Sequence, residues 1–133
     1  MTATLEFELV SPLKLLVSDK VDMVIVPGIE GDIGVLPGHS PLITNVRPGV
    51  ISILDGDDIK QKLFVTGGFC EIKPDLCTVL SAEAIKLEDI DGEIAQKRYK
   101  DAEEAEASAN DENKAEALRQ LKIASAMVEA ISG

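Results

Sequence analysis

The hydrophobic period of the chain changes once. Up to about residue 87, apolar residues come in short runs divided by glycine, proline and acidic turns. Beyond it they recur at three- and four-residue spacing. Leu5-Glu6-Phe7-Glu8-Leu9 alternates strictly, as a half-buried strand requires, because successive side chains point to opposite faces. Further runs occupy Val21–Val26, Ile33–Leu36, Leu42–Val46 and Val50–Leu54. After Asp55-Gly56-Asp57, a hairpin turn signal, come Ile59–Thr66, Gly68–Ile72 and Leu76–Ser81. The gaps are too short for the dozen-residue crossovers of a parallel sheet. The pattern therefore predicts an antiparallel β sandwich or barrel of about eight to ten short strands.

From Glu88 onward there is no proline and alanine dominates. Asp89 or Asp91 caps a helix start, and Ile94, Ala95, Arg98, Ala102, Ala105 and Ala109 follow at helical spacing. Asn110-Asp111-Glu112 is a polar break with a second capping signal. Leu118, Leu121, Ser125, Val128 and Ile131 are expected to line one face of a second helix. The sequence thus predicts a β sandwich over residues 1–87 and a C-terminal antiparallel α-helical hairpin over 88–133. The first helix offers mostly methyl groups, each contributing about 0.8 kcal/mol when buried. Such a hairpin is either permanently docked or light enough for a partner to move.

Composition narrows the function. Only 3 % of the 133 residues are aromatic and Trp is absent, so the core must be aliphatic. Against 24 Asp and Glu stand 13 Lys and Arg, a net charge of −11. That balance argues against nucleic acid, whose affinity comes from phosphate neutralisation, and against docking on anionic lipid. No run of apolar residues is long enough to span a membrane, and patterned sequence beginning at Leu5 leaves no room for a leader, so a soluble cytoplasmic chain is expected. Two cysteines are too few for a disulfide framework or, with a single histidine, a four-ligand zinc site. With Pro74 and Asp75 centring a hairpin, Cys70 faces Val79 and Cys77 faces Ile72. The sulfurs are then diagonal neighbours, expected as buried free thiols. His39 is the sole histidine, so no Ser-His-Asp arrangement and no multi-histidine metal site is supported; neither a cofactor nor a metal is expected.

The densest run of special backbone residues spans 27–41, with glycines at 28, 31, 34 and 38. It contains neither Gly-Lys-Ser/Thr nor Gly-x-Gly-x-x-Gly, and no helix follows to hold an anion. Two readings remain: a pair of tight turns needing positive φ, or a shaped surface loop presenting Glu30, Asp32 and His39 to a partner.

Val26-Pro27-Gly28-x-x-Gly31-Asp32-x-Gly34-Val35-Leu36-Pro37-Gly38-His39-Ser40-Pro41 resembles the signature loop of the epsilon subunits of bacterial F-type ATP synthases. Leu5–Ser11 is similar to the family's opening strand and Arg47-Pro48-Gly49-Val50 to its Lys/Arg-Pro-Gly turn. Thr66-Gly67-Gly68-Phe69 with Thr78-Val79-Leu80-Ser81 resembles its Gly-Gly hairpin and last long strand. The Ala-rich hairpin completes a likeness that covers essentially the whole chain. The resemblance implies a non-catalytic rotor subunit. It would pack on the gamma subunit and the c-ring at the cytoplasmic face of the bacterial plasma membrane, as a peripheral subunit without membrane insertion, and couple proton-driven rotation to ATP synthesis. It also implies that Asp32 lies at the c-ring contact and that Glu30, Gly38, His39, Ser40 and Leu42 belong to the gamma and c-ring contact loop.

Two departures qualify that picture. In many relatives the hairpin extends towards the alpha/beta catalytic head and blocks ATP hydrolysis, helped by basic residues of the second helix. Here that helix offers Lys114, Arg119 and Lys122 against Glu112, Glu116 and Glu129, and residues 88–133 hold 12 acidic against 6 basic residues. An acidic arm predicts weak inhibition. Some relatives bind ATP through Ile/Leu-Asp-x-x-Arg-Ala and a later arginine. This chain reads Ile90-Asp91-Gly92-Glu93-Ile94-Ala95, then Asp101, so both arginine positions are lost and only Arg98 and Arg119 stand near to replace them. The alternative reading, a free-standing nucleotide-sensing or protein-interaction module, would need those arginines if it sensed nucleotide.

Overall fold

The computed structural model describes residues 4–132. Met1–Ala3, on which the expectation of no leader turns, and Gly133 lie outside the described residues. Ten strands form: β1 (Leu5–Val10), β2 (Leu15–Val21), β3 (Met23–Gly28), β4 (Gly31–Val35), β5 (Leu42–Val46), β6 (Gly49–Asp55), β7 (Asp58–Val65), β8 (Gly68–Ile72), β9 (Leu76–Leu80) and β10 (Ala84–Lys86). They pair in the order β10-β7-β6-β3-β5-β8-β9-β1-β2, with β4 added on β3. The sheet folds over where β3 changes partner: Met23–Ile25 lie against β6, while Gly28 lies against Val46 of β5. Towards the two ends of the sheet, Lys60 of β7 reaches Asp19 of β2 at 3.1 Å. The hydrogen bond from Lys60 holds the Asp19 carboxyl below the usual aspartate range.

Three features of the sheet differ from expectation. Leu15–Val21 is a strand although Ser18-Asp19-Lys20 hides any alternation; pairing with β1, from Leu5↔Val21 to Val10↔Leu15, creates it. Ala84–Lys86 is a three-residue strand on β7, too short to read from pattern. One pair, β1 with β9, is parallel. The short-gap argument does not reach it, because the connection between these two strands is the rest of the sandwich.

Inside, Leu5, Phe7 and Leu9 of β1 meet Val24, Val26, Ile51, Ile53, Ile72 and Val79 in one buried cluster in which Phe7 is the single aromatic. The Gly-Gly turn is sterically imposed. A Cβ on Gly68, whose φ is +148°, would come within 1.8 Å of the Leu80 carbonyl oxygen.

The helices are α1 (Gly92–Ala107) and α2 (Lys114–Ser132), preceded by a 3₁₀ turn at Leu87–Asp89. Of the two candidate caps Asp91 is used, accepting from the backbone of Glu93 at 2.8 Å, while Asp89 sits in the 3₁₀ turn. At the break, Asn110 and Asn113 cap each other: Asn110 Oδ1 accepts from Asn113 N at 3.1 Å, and Asn113 Oδ1 from Asn110 N at 2.9 Å. The hairpin lies on the outer face of β6, β7 and β10, where Phe64, fully buried, meets Ala95, Ile123 and Met127 in a second cluster joined by Val50, Ile85 and Ile131. Arg98 of α1 donates to both Glu83 carboxylate oxygens at 3.2 Å, fixing the helix to the β9–β10 connection.

The expected helix faces are corrected in phase. In α2 the buried residues are Ile123, Ala124 and Met127, while Leu118 is 41 % exposed and Ser125 faces solvent. In α1 Ala95 and Ala102 are buried, whereas Ile94 is 67 % exposed and Ala105 is exposed. The second helix has apolar residues on more than one face, so spacing sets its period but contact with Phe64 sets its rotation. The first helix turns small side chains inward, which lets the two helices lie close. Replacing Phe64 with alanine should cost about 3–5 kcal/mol. Thermal unfolding should register the loss, and amide exchange should show both helices loosening before the sandwich.

Candidate functional site

Most of the 27–41 segment is sheet. Gly28 and Gly31 pair across a two-residue turn made by Ile29 and Glu30, and β4 then runs antiparallel along β3 to Val35. Gly31 has φ +144°. Gly28 is required for a different reason: a Cβ there would lie 2.7 Å from the Gly31 carbonyl oxygen and 2.9 Å from Ile33 Cδ1. The second turn is at Pro37-Gly38, with Gly38 at φ +89°. His39 N donates to Leu36 O at 3.1 Å, and Gly38 N donates to Pro74 O at 2.7 Å, tying this turn to the β8–β9 hairpin. The reading as two tight turns with positive φ holds at Gly31 and Gly38, each turn being held at the surface by the sheet.

The expected site residues form two groups. Glu30 and Asp32 are exposed at the β3–β4 tip. Gly38, His39 and Ser40 lie beyond the other end of β4, a strand about 13 Å long. His39 bonds locally, its Nδ1 lying 2.6 Å from Ser40 O. Leu42, opposite Ile72, is 40 % exposed. Glu30, Asp32 and His39 are therefore not brought together.

Sequence reasoning treated Arg47 only as part of a turn, yet it organises the tip. Its Nη1 donates to Gly28 O and its Nη2 to Asp32 Oδ1, both at 2.6 Å. Its backbone N donates to Pro27 O at 2.9 Å, and Ile29 N donates to Asn45 O at 2.9 Å. The cue in the sequence was an arginine following β5 at the Arg-Pro-Gly turn, since β5 runs back to the start of the tip.

A second unforeseen feature is a row across the outer face of the half of the sheet formed by β5, β8, β9, β1 and β2. Asn45, Phe69, Leu80, Val10 and Leu15 are in register on β5, β8, β9, β1 and β2. Phe69, Leu80 and Leu15 are 40 %, 44 % and 55 % exposed, and Leu13, at the adjoining turn, is 94 % exposed. Ile43 continues the surface on β5. These residues occupy outward positions where alternation calls for polar side chains.

The thiols lie in the expected register, Cys70 opposite Val79 and Cys77 opposite Ile72. Both are free and buried, with 3.8 Å between the sulfurs. The hydrogen bond with Cys70, reinforced by burial, pushes the Cys77 thiol well up. At the junction of hairpin and sandwich, Arg98 is engaged by Glu83 and Arg119 by Glu116. Asp101 pairs with Lys97 at 3.0 Å. The hydrogen bonds from Arg119 and Gln120 bring Glu116 down to about 2.

A sandwich of this topology with a helical hairpin behind it defines a class. Residues 4–87 match the family model for the ATP synthase, Delta/Epsilon chain, beta-sandwich domain. The ATP synthase epsilon chain of Paramagnetospirillum magneticum is 50 % identical over 133 residues, covering 99 % of this chain and 100 % of its own length. That of Rhodospirillum rubrum is 46 % identical over 134 residues, covering 100 % of both. A chain in the cryo-EM structure of the Euglena gracilis mitochondrial ATP synthase OSCP/F1/c-ring superposes with a TM-score of 0.84. It covers 97 % of this chain and 82 % of its own at 23 % identity, a likeness of fold. The chain belongs to the ATP synthase epsilon chain family.

The tip tolerates little added bulk. Gly28→Ala should cost about 1–3 kcal/mol in chemical denaturation and should shift the amide resonances of Gly31, Asp32 and Arg47 while leaving those of the helical hairpin in place.

Proposed function

We propose that the chain is a non-catalytic rotor subunit of an F-type ATP synthase. It sits in the central stalk, on gamma and on the c-ring, and couples proton-driven rotation to ATP synthesis. The observation that carries this reading is the apolar row on the uncovered sheet face. The helical hairpin occupies the outer face of β6, β7 and β10, whereas Phe69, Leu80 and Leu15 are left open on the opposite side. Covering a large apolar side chain contributes about 1.5–3 kcal/mol, against about 0–1 kcal/mol for an exposed ion pair. The row is therefore the surface on which gamma docks, and the charged tip adds orientation. The acidic β3–β4 tip faces basic residues on the polar loops of the c-ring. The segment with Gly38, His39, Ser40 and Leu42 lies nearer gamma, and the separation of the two turns supports two contacts.

No helix among the described residues is long and apolar enough to cross a membrane. A peripheral place on the cytoplasmic face of the bacterial plasma membrane, held through the complex, accords with this. Residues 1–87 act as the docking domain and 88–133 as the regulatory arm. The arm is acidic, and two of its three second-helix cations are engaged internally, Lys114 by Glu106 at 3.9 Å and Arg119 by Glu116 at 2.9 Å. That supports weak inhibition through the alpha/beta catalytic head.

A tagged chain should co-fractionate with ATPase activity, gamma and the c-ring from detergent-solubilised membranes. Phe69→Asp or Leu80→Asp should release it. A wild-type chain running alone and binding ATP in titration calorimetry would instead favour a nucleotide-sensing module. Truncation after Leu87 should leave ATP hydrolysis by the complex nearly unchanged; a several-fold rise would overturn the weak-inhibitor assignment.

A further inference from the structure

Cys70 and Cys77 take no part in the exposed turns or the apolar row, yet the fold sets them against each other. They stand seven positions apart in the chain, on β8 and β9, and their sulfurs meet at 3.8 Å inside the sandwich. Cys70 lies between Thr44 and Val79, and Cys77 between Ile72 and Phe7, each in register across the sheet. Neither is accessible to solvent.

A thiolate reacts with a hydroperoxide to give a sulfenic acid, and a second thiol within reach converts that acid to a disulfide before oxidation goes further. This pair meets both requirements. With Cys77 donating, the hydrogen bond between the thiols holds Cys70 below its ordinary range against the opposing effect of burial. The same bond, reinforced by burial, pushes Cys77 up. We propose that Cys70 and Cys77 form a peroxide-responsive dithiol, with Cys70 the attacking sulfur and Cys77 the resolving one. The Cys70 thiolate takes one oxygen of hydrogen peroxide, becoming a sulfenic acid, and hydroxide leaves. Cys77 Sγ then attacks Cys70 Sγ, the S–O bond breaks, and the departing oxygen carries off the Cys77 proton as water. Two thiols and one peroxide thus give one disulfide and two waters, the two electrons lost by sulfur having reduced the O–O bond. Hydrogen peroxide is little larger than water, so a local opening of the short β8–β9 hairpin admits it.

Bonding draws the sulfurs in to about 2 Å. Diagonal positions hold their Cα atoms about 7–8 Å apart, so the backbone must supply part of that movement. Phe69 adjoins Cys70 and pairs with Leu80 on β9, and Cys77 pairs with Phe7 of β1. Oxidation therefore reshapes the apolar row, an effect on assembly that rests on the docking role proposed for that row. A strained bond of this kind is readily reduced, which makes the change reversible.

The test is treatment of the folded full chain with hydrogen peroxide, followed by intact-mass measurement and peptide mapping. Loss of two hydrogens, a peptide bridged from Cys70 to Cys77, and recovery with dithiothreitol are expected. In Cys77→Ala, Cys70 should stop at a sulfenic acid that dimedone traps, whereas Cys70→Ala should leave Cys77 unlabelled. Thiols that stay reduced, crosslinks only between chains, or sulfinic acids without a bridge overturn the site. Equal dimedone labelling of the two variants overturns the assigned roles. The bridged chain should bind gamma–c-ring assemblies lacking this subunit about ten-fold more weakly than the reduced chain, with affinity restored on reduction. Equal binding by both forms overturns the switch and leaves the docking reading standing. A reduced chain that does not bind overturns the docking reading instead, while the mass measurement still decides the dithiol.

Discussion

Phe64 sits where the two hydrophobic clusters of the chain meet. Its neighbours Leu63 and Val65 point into the sandwich, and its own ring, on the opposite face of the same strand, lies under the helices. Alternation along β7 makes this unavoidable: a strand that feeds two cores must be apolar at consecutive positions. Much else depends on it. The ring sets the rotation of α2 and brings the hairpin against β6 and β10, so that the opposite half of the sheet keeps an exposed outer face. Arg98 and Glu83 then only complete a placement that burial has already chosen.

The consequence is a division of labour between faces. The inner faces hold an aliphatic core with one aromatic, one outer face holds the chain's own helices, and the other presents Phe69, Leu80, Val10 and Leu15 in register. Charge is arranged around these surfaces. The chain is acidic as a whole, yet several basic residues are spent on internal ties: Lys60 on Asp19, Arg98 on Glu83, Arg47 on Asp32 and Arg119 on Glu116. Beyond these ties the exposed surface is predominantly acidic, interrupted by the apolar row.

The sandwich and hairpin were legible because the period switches from two to 3.6 at one place, and the turns announced themselves through Asp-Gly, Gly-Gly and Pro-Gly. The register of the cysteines followed from the Pro74 turn. What was not legible depends on contacts distant in sequence. Strand β2 carries Ser18-Asp19-Lys20 and becomes a strand only because β1 lies beside it. The phase of α2 is set by a phenylalanine about sixty residues earlier. Arg47 looked like a turn residue because its two acceptors, on Gly28 and Asp32, come from another strand pair. The outer row stayed hidden because an apolar residue at an outward position looks, in sequence alone, like noise in the alternation.

The parallel pairing of β1 with β9 also governs the order in which the molecule can be completed during synthesis. The first strand emerges early and can pair at once with β2, but its other edge has no partner until Leu76–Leu80 has been made. Until then the nascent chain carries Leu5, Phe7 and Leu9 on a two-stranded ribbon whose β1 edge is still bare, the kind of surface that recruits foreign strands. Closure joins the two ends of the sandwich sequence in a single late event, and a pairing of such long range is slow to find. The helices leave the ribosome after the strands, when the face that will receive them has just been finished.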